Sequence, residues 1–188
     1  MAVLIGRAES HLLVVDVQDR LVSAMEPERP FVAVCAKLLQ AANALRIPAM
    51  ASEQYPKGLG RTVAELAELV PPALRYEKME FSCYANAAIR QALTGVNQPQ
   101  VVLAGIEAHV CVLQTVLELL AQGHEVHVCW DAVSGRGEAY RQGALDRMVQ
   151  AGATLTNHES VAFEWARDKN HPNFKAVSAL LKEGQPQG

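Results

Sequence analysis

Apolar positions along the chain follow two alternating rhythms. Short unbroken runs such as HLLVVDV (11–17) and QPQVVLAG (98–105) place apolar, often β-branched residues at successive positions, as strands buried on both faces do. FVAVCAKLLQAANALR (31–46) and VCVLQTVLELLAQG (110–123) instead repeat apolar residues every three or four positions, the period of a helix with one face in a core. Extended over the whole chain, the reading predicts strands at 11–17, 47–53, around LRYEK (74–78), 98–105, 124–133 and 153–160. Helices are predicted from ERPFVAV (28–34) to Arg46 with Pro30 near the start, at 63–69 with Thr62 as N-cap, at 86–95, at 110–123 closed by Gly123, at 139–152 and at 171–184. The final GQPQG reads as a polar terminus, and no repeat or linker interrupts the pattern.

Strands of this kind separated by amphipathic helices imply a parallel sheet covered on both sides, because each crossover must pack back over the sheet. The expected fold is α/β: a doubly wound three-layer α/β/α sandwich with a mainly parallel six-stranded sheet, Rossmann-like with order 3-2-1-4-5-6. At 188 residues one domain, 1–188, accounts for the chain.

In such sheets ligands sit beyond the carboxyl ends of the strands, where the winding reverses. Position therefore sorts the polar residues. Asp16 ends the first strand, Glu53 and Gln54 the second, and Lys78 follows the third. Glu107 to Cys111 follow the fourth, and Asp131 and Arg136 the fifth. Cys111 falls in the first turn of a helix, where unpaired N–H groups and the positive end of the macrodipole favour thiolate over thiol. A thiolate there can attack a carbonyl carbon while nearby N–H groups hold the oxyanion. Free cysteine is more often a packing residue, and Cys35 within a helix and Cys129 within a strand read that way. Cys83, in FSCYAN near Lys78, stays a rival nucleophile. On the residues alone, Asp16 reads equally as a turn-capping acid and Lys78 as an exposed charge.

Composition removes several classes of function. A net charge of −3 offers no footprint for nucleic acid or an anionic membrane. No run of about 20 apolar residues and no leader pattern is present, so a cytoplasmic protein without membrane contact is expected. The four cysteines form no CxxC, the six histidines form no HxxxH or HExxH, and neither a Walker sequence, a dinucleotide fingerprint nor GxSxG occurs. No cofactor and no metal is expected.

LLVVDVQDRLV, EKMEFS and LAGIEAHVCVLQTVLELLAQGHEVHVCWDAVSGR, in that order and spacing, resemble the isochorismatase-like cysteine hydrolases, a superfamily that includes nicotinamidases and N-carbamoylsarcosine amidases. SEQYPKGLGRT, GIEAHVCV and DKNHPNFK are most similar to the isochorismatase domain-containing subgroup. The resemblance implies a catalytic triad of Asp16, Lys78 and Cys111, and so selects Cys111 over Cys83. It also implies a cis peptide between Ile106 and Glu107 and an oxyanion hole from the backbone N–H groups of Glu107 and Cys111. The function it implies is hydrolysis of a small amide-type C–N bond through a thioester, without a cofactor.

Two departures narrow that expectation. Nicotinamidases carry a DxH and a further metal-binding histidine after the second strand, where this chain has SEQYPKGLG, so nicotinamide and a metal are not expected. Isochorismatases proper lack the cysteine and cleave a vinyl ether, so Cys111 speaks against isochorismate. Gln54, Tyr55 and Phe81 are expected as pocket walls, and Glu107 and His109 as pocket or surface side chains. The expected partners are a small-molecule substrate and further copies of the chain, as a dimer or larger homo-oligomer. The alternative functions are a non-catalytic binding or regulatory module and a redox-responsive protein in which Cys111 is oxidised.

Overall fold

The computed structural model describes residues 4–25, 30–95 and 98–182. Six strands, β1 (Ser10–Val15), β2 (Ala49–Gln54), β3 (Arg75–Lys78), β4 (Gln100–Gly105), β5 (Glu125–Val133) and β6 (Thr154–Thr156), form one sheet in the order 3-2-1-4-5-6. Every pairing is parallel. The longer helices are α1 (Phe31–Leu45), α2 (Ala87–Gly95), α3 (Leu113–Ala121), α4 (Glu138–Gln150), α5 (His158–Ala166) and α6 (Phe174–Lys182). Among the described residues no helix is long and apolar enough to cross a membrane.

Successive strand residues point to opposite faces, and the core divides accordingly. Leu12, Val14, Val102 and Ala104 pack with Leu38, Ala42, Trp165 and Val177 from α1, α5 and α6. Leu13, Val15, Val101 and Leu103 pack on the other side with Ile89, Val116, Leu119, Leu145 and Met148 from α2, α3 and α4. The central strands β1 and β4 are buried along their whole length. That explains why their sequences read as continuous apolar runs.

Two local expectations give way to observed contacts. The predicted sixth strand ends at Thr156, because the Asn157 side chain accepts a 2.9 Å hydrogen bond from the Ser160 N–H and starts α5. Thr62 is not the cap of the short helix Ala64–Ala67; its hydroxyl and N–H both donate to Glu53 Oε1, at 2.7 and 2.9 Å. Pro30 immediately precedes α1. Residues 28 and 29 of the predicted first helix, 183 and 184 of the last and the GQPQG terminus lie outside the described residues.

Reversal of the winding occurs between β1 and β4, and two positions there have backbone conformations rare for side-chain-bearing residues. Asp16 has φ 50° and Gly105 has φ 115°. A Cβ on Gly105 would lie 2.1 Å from the Val15 carbonyl oxygen, so only glycine lets β4 approach β1 this closely. The peptide bond between Ile106 and Glu107, one residue further, is cis.

Candidate active site

Residues that end three different strands meet at the carboxyl edge. Lys78 closes β3, yet its side chain runs inward and its Nζ lies 2.7 Å from Asp16 Oδ2, with neither side chain exposed. Gln54 Oε1 accepts from the same Nζ at 2.6 Å, and the carbonyls of Glu80 and Phe81 accept at 3.1 and 3.0 Å. An ammonium has three protons, so four acceptors leave none spare for a ligand. Burial works against charge on Lys78, but Asp16 and then the thiols of Cys83 and Cys111 outweigh it and hold its pKa above the ordinary value.

The other oxygen of the carboxylate, Asp16 Oδ1, accepts from Ser52 Oγ at 2.7 Å. Ser52 also fixes the backbone there, since its carbonyl accepts the Asp16 N–H at 3.1 Å. Cys83, fully buried, donates through sulfur to Ser52 Oγ at 3.3 Å. Gln18 anchors the same corner: its Nε2 donates to the carbonyls of Gln54 and Gly60, and its Oε1 accepts the Gln54 N–H.

Cys111 enters from the far side of the reversal point. Val112 donates to the Glu107 carbonyl at 3.2 Å, a five-residue span that widens the first turn before α3. Such widened turns recur at functional sites. The Cys111 thiol lies close enough to Asp16 and Lys78 to feel the charge of both. It keeps a sliver of exposure, 6%, whereas Cys35, Cys83 and Cys129 have none. Among the described residues the Glu107 N–H has no backbone acceptor.

The thiolate-favouring helix start expected at Cys111 is overridden. Burial, followed by the adjacent Asp16 carboxylate, raises the thiol's pKa, and Lys78 offsets only part of that. The resting side chain is a thiol beside a carboxylate. Cys83 is pushed up to about 11, again by burial first and Asp16 second. Cys35 and Cys129 are buried packing residues with raised pKa, Cys35 donating to the Ala132 carbonyl.

The remaining expected residues separate. Tyr55, about half exposed, lines a concavity of about 460 Å³ together with Lys57, Glu77, Lys78, Met79 and Asn86. Gln54 is turned inward onto Lys78 and the Met79 carbonyl, and Phe81 is exposed outside that lining. Glu107 and His109 form a rim cluster in which Arg136 Nε donates to Glu107 at 2.6 Å and His109 stacks on Tyr140 at 5.0 Å. Asp131 lies within β5 and accepts from the His158 N–H. Glu53 is held by Thr62 and Arg61, which outweigh its burial and keep its pKa low. A larger concavity of about 610 Å³ lies at the opposite edge, near Arg7, Arg46 and His171. Among the described residues no three His, Cys, Asp or Glu side chains form a metal-binding group.

Sequence reasoning missed Ser52 and Gln18. The available signal was positional, because a small hydroxyl in the last turns of a buried strand has to find a polar partner.

Residues 10–160 match the isochorismatase domain family. Isochorismatase domain-containing protein 1 of Salmo salar is 42% identical over 92% of the chain, and isochorismatase domain-containing protein 2 of Xenopus laevis is 37% identical over 97%. The match covers 60% of the first and 88% of the second, so the chain spans less than two thirds of the protein 1 relative. Among solved structures, the MAR1 ribonuclease of Caenorhabditis elegans superposes with a TM-score of 0.90 at 38% identity, covering 98% of this chain and 95% of that one. YcaC of Pseudomonas aeruginosa, solved with hexane-2,5-diol and covalent acrylamide, gives 0.89 at 27% identity, covering 94% and 91%. Escherichia coli YcaC, described as an octameric hydrolase of unknown specificity, gives 0.90 at 29%, covering 96% and 90%.

Proposed function

The chain belongs to the isochorismatase family, and from that premise we propose that it is a cysteine hydrolase that cleaves a small amide-type C–N bond through a thioester. Fold and relatives support a hydrolase-type function. The observation that carries the finer reading is the meeting of one slightly exposed thiol, one carboxylate and one saturated ammonium in a single buried network. The covalent acrylamide on the Pseudomonas relative is consistent with a reactive nucleophile in this fold.

In this mechanism the raised thiol pKa sets the order of events. Asp16 takes the Cys111 proton as the sulfur attacks the carbonyl carbon, so free thiolate never has to accumulate. The carbonyl π electrons move onto oxygen, which is held by the N–H groups of Glu107 and Cys111. Collapse breaks the C–N bond, and Asp16 returns the proton to the departing nitrogen. Water, deprotonated by Asp16, then attacks the thioester and releases the acid and the thiol. Lys78 holds Asp16 oriented throughout; with all its protons committed it is not a substrate contact.

A panel of small amides, carbamates and ureido compounds assayed for ammonia release tests the reading. Activity that disappears in Cys111→Ala supports it. Full activity in that variant contradicts it. RNA belongs in the panel because the nematode relative is described as a ribonuclease, and RNA cleavage unaffected by Cys111→Ala would replace the amide reading.

A further inference from the structure

We infer that Ser52 is a positioning residue for Asp16, and that its hydroxyl decides which of two neighbouring thiols, Cys111 or Cys83, the carboxylate serves. The inference rests on the hydrolase reading above and adds a residue to it.

Both thiols lie close to the same acid. A single hydroxyl, Thr115 Oγ1, accepts the Cys83 N–H at 2.9 Å and donates to the Cys111 carbonyl at 2.7 Å, so the two cysteine backbones are only two hydrogen bonds apart. Cys83 Sγ nevertheless reaches Asp16 only through Ser52 Oγ, whereas Cys111 is close enough for the Asp16 charge to raise its pKa, second only to burial. Hydrogen-bond inventory fixes the direction of this relay. An ionised carboxylate has no proton to give, so Ser52 must donate its one hydrogen to Asp16 Oδ1, and its oxygen can only accept from Cys83. Cys83 therefore keeps its proton on a neutral hydroxyl, which is no base.

The same clamp orients Asp16. Ser52 holds Oδ1, Lys78 holds Oδ2, and the Ser52 carbonyl holds the backbone N–H of a residue at φ 50°. With both oxygens pinned, the carboxylate cannot turn about its terminal torsion, a rotation that is otherwise soft. Ser52 is 1% exposed, so water does not replace the hydroxyl if it is removed without a cavity forming.

Iodoacetamide alkylation read by peptide mass spectrometry, repeated over a range of pH, tests this without a known substrate. In the wild-type chain Cys111 is alkylated ahead of Cys35, Cys83 and Cys129. Ser52→Ala, shown folded by its thermal transition, should slow Cys111 alkylation by about tenfold and change its pH profile, since Asp16 loses a hydrogen bond to its charged form. Ser52→Thr should restore both to within about twofold, and Cys83→Ala should leave both within about twofold of wild type, because neither change takes the hydroxyl from Asp16. A reactive wild-type Cys111 with an unchanged rate and profile in Ser52→Ala overturns the Ser52 assignment alone. A wild-type Cys111 no faster than the packed Cys35 overturns the hydrolase reading with it.

Discussion

Lys78 and Asp16 form a fully buried ion pair at 2.7 Å, joining the last residue of one strand to the residue just past another that lies two positions away in the sheet. Two charges removed from water gain from their attraction only when the remaining hydrogen-bonding positions are satisfied. Here they are: Gln54, two backbone carbonyls and Ser52 complete the shell. The pair therefore fixes a carboxylate close to the Cys111 thiol, where a general base is needed.

Removing one partner should cost stability as well as chemistry. Lys78→Met leaves the Asp16 charge buried and unpaired, and should lower unfolding free energy by about 3–5 kcal/mol. Adding Asp16→Asn removes that orphan charge, so the double variant should recover part of the loss. Urea unfolding of the two variants checks the sign of the recovery.

Gly105→Ala should be more damaging than a methyl group suggests. The new Cβ would meet the Val15 carbonyl oxygen at 2.1 Å and the Val15 nitrogen at 2.5 Å, both backbone atoms of a central strand, at a φ of 115°. We expect a loss of roughly 3 kcal/mol or more, or an insoluble chain. The expected loss of Cys111 alkylation in any soluble fraction would tie the seam to the site.

The sheet was legible because β1 and β4 are buried on both faces, which leaves an apolar run in each. The carboxyl-edge rule then placed Asp16, Lys78 and Cys111 within a wider set of polar residues, and the family resemblance selected those three from it. The sixth strand was overrun because Thr-Asn-His-Glu-Ser carries no apolar period, and only the Asn157 cap marks where extension stops. The ionisation of Cys111 was misread because the helix start was visible in the sequence, while the burial and the carboxylate pressed against it come from residues far away in the chain. Ser52 was missed for the same reason, since nothing local tells that its hydroxyl faces Asp16.

Capping makes a smaller prediction. Asn157→Ala removes the acceptor for the Ser160 N–H and should cost about 1 kcal/mol, read as a lowered urea midpoint, while Asn157→Asp should retain most of it. Cys111 alkylation should be unchanged in both, as α5 packs on the face of the sheet away from α3.

Acid should destabilise the fold through its buried histidines. His11 lies inside β1, with neither ring nitrogen hydrogen-bonded among the described residues, and burial followed by His124 holds its pKa down to about 4. His127 is lowered as well, chiefly by burial. Unfolded, each protonates near about 6.5, so between there and about 4 the unfolded chain binds more protons and stability falls as pH is lowered. His11 alone should account for up to about 3 kcal/mol across that window. In His11→Leu the difference between urea midpoints at neutral and acid pH should shrink.

Acylation with p-nitrophenyl acetate, followed by peptide mass spectrometry, tests the central claim most directly. A single acetyl thioester on Cys111, absent in Cys111→Ala and strongly reduced in Asp16→Asn although both remain folded, is the predicted result. Acetylation spread equally over the four cysteines, or undiminished at Cys111 when Asp16 is replaced, would contradict it.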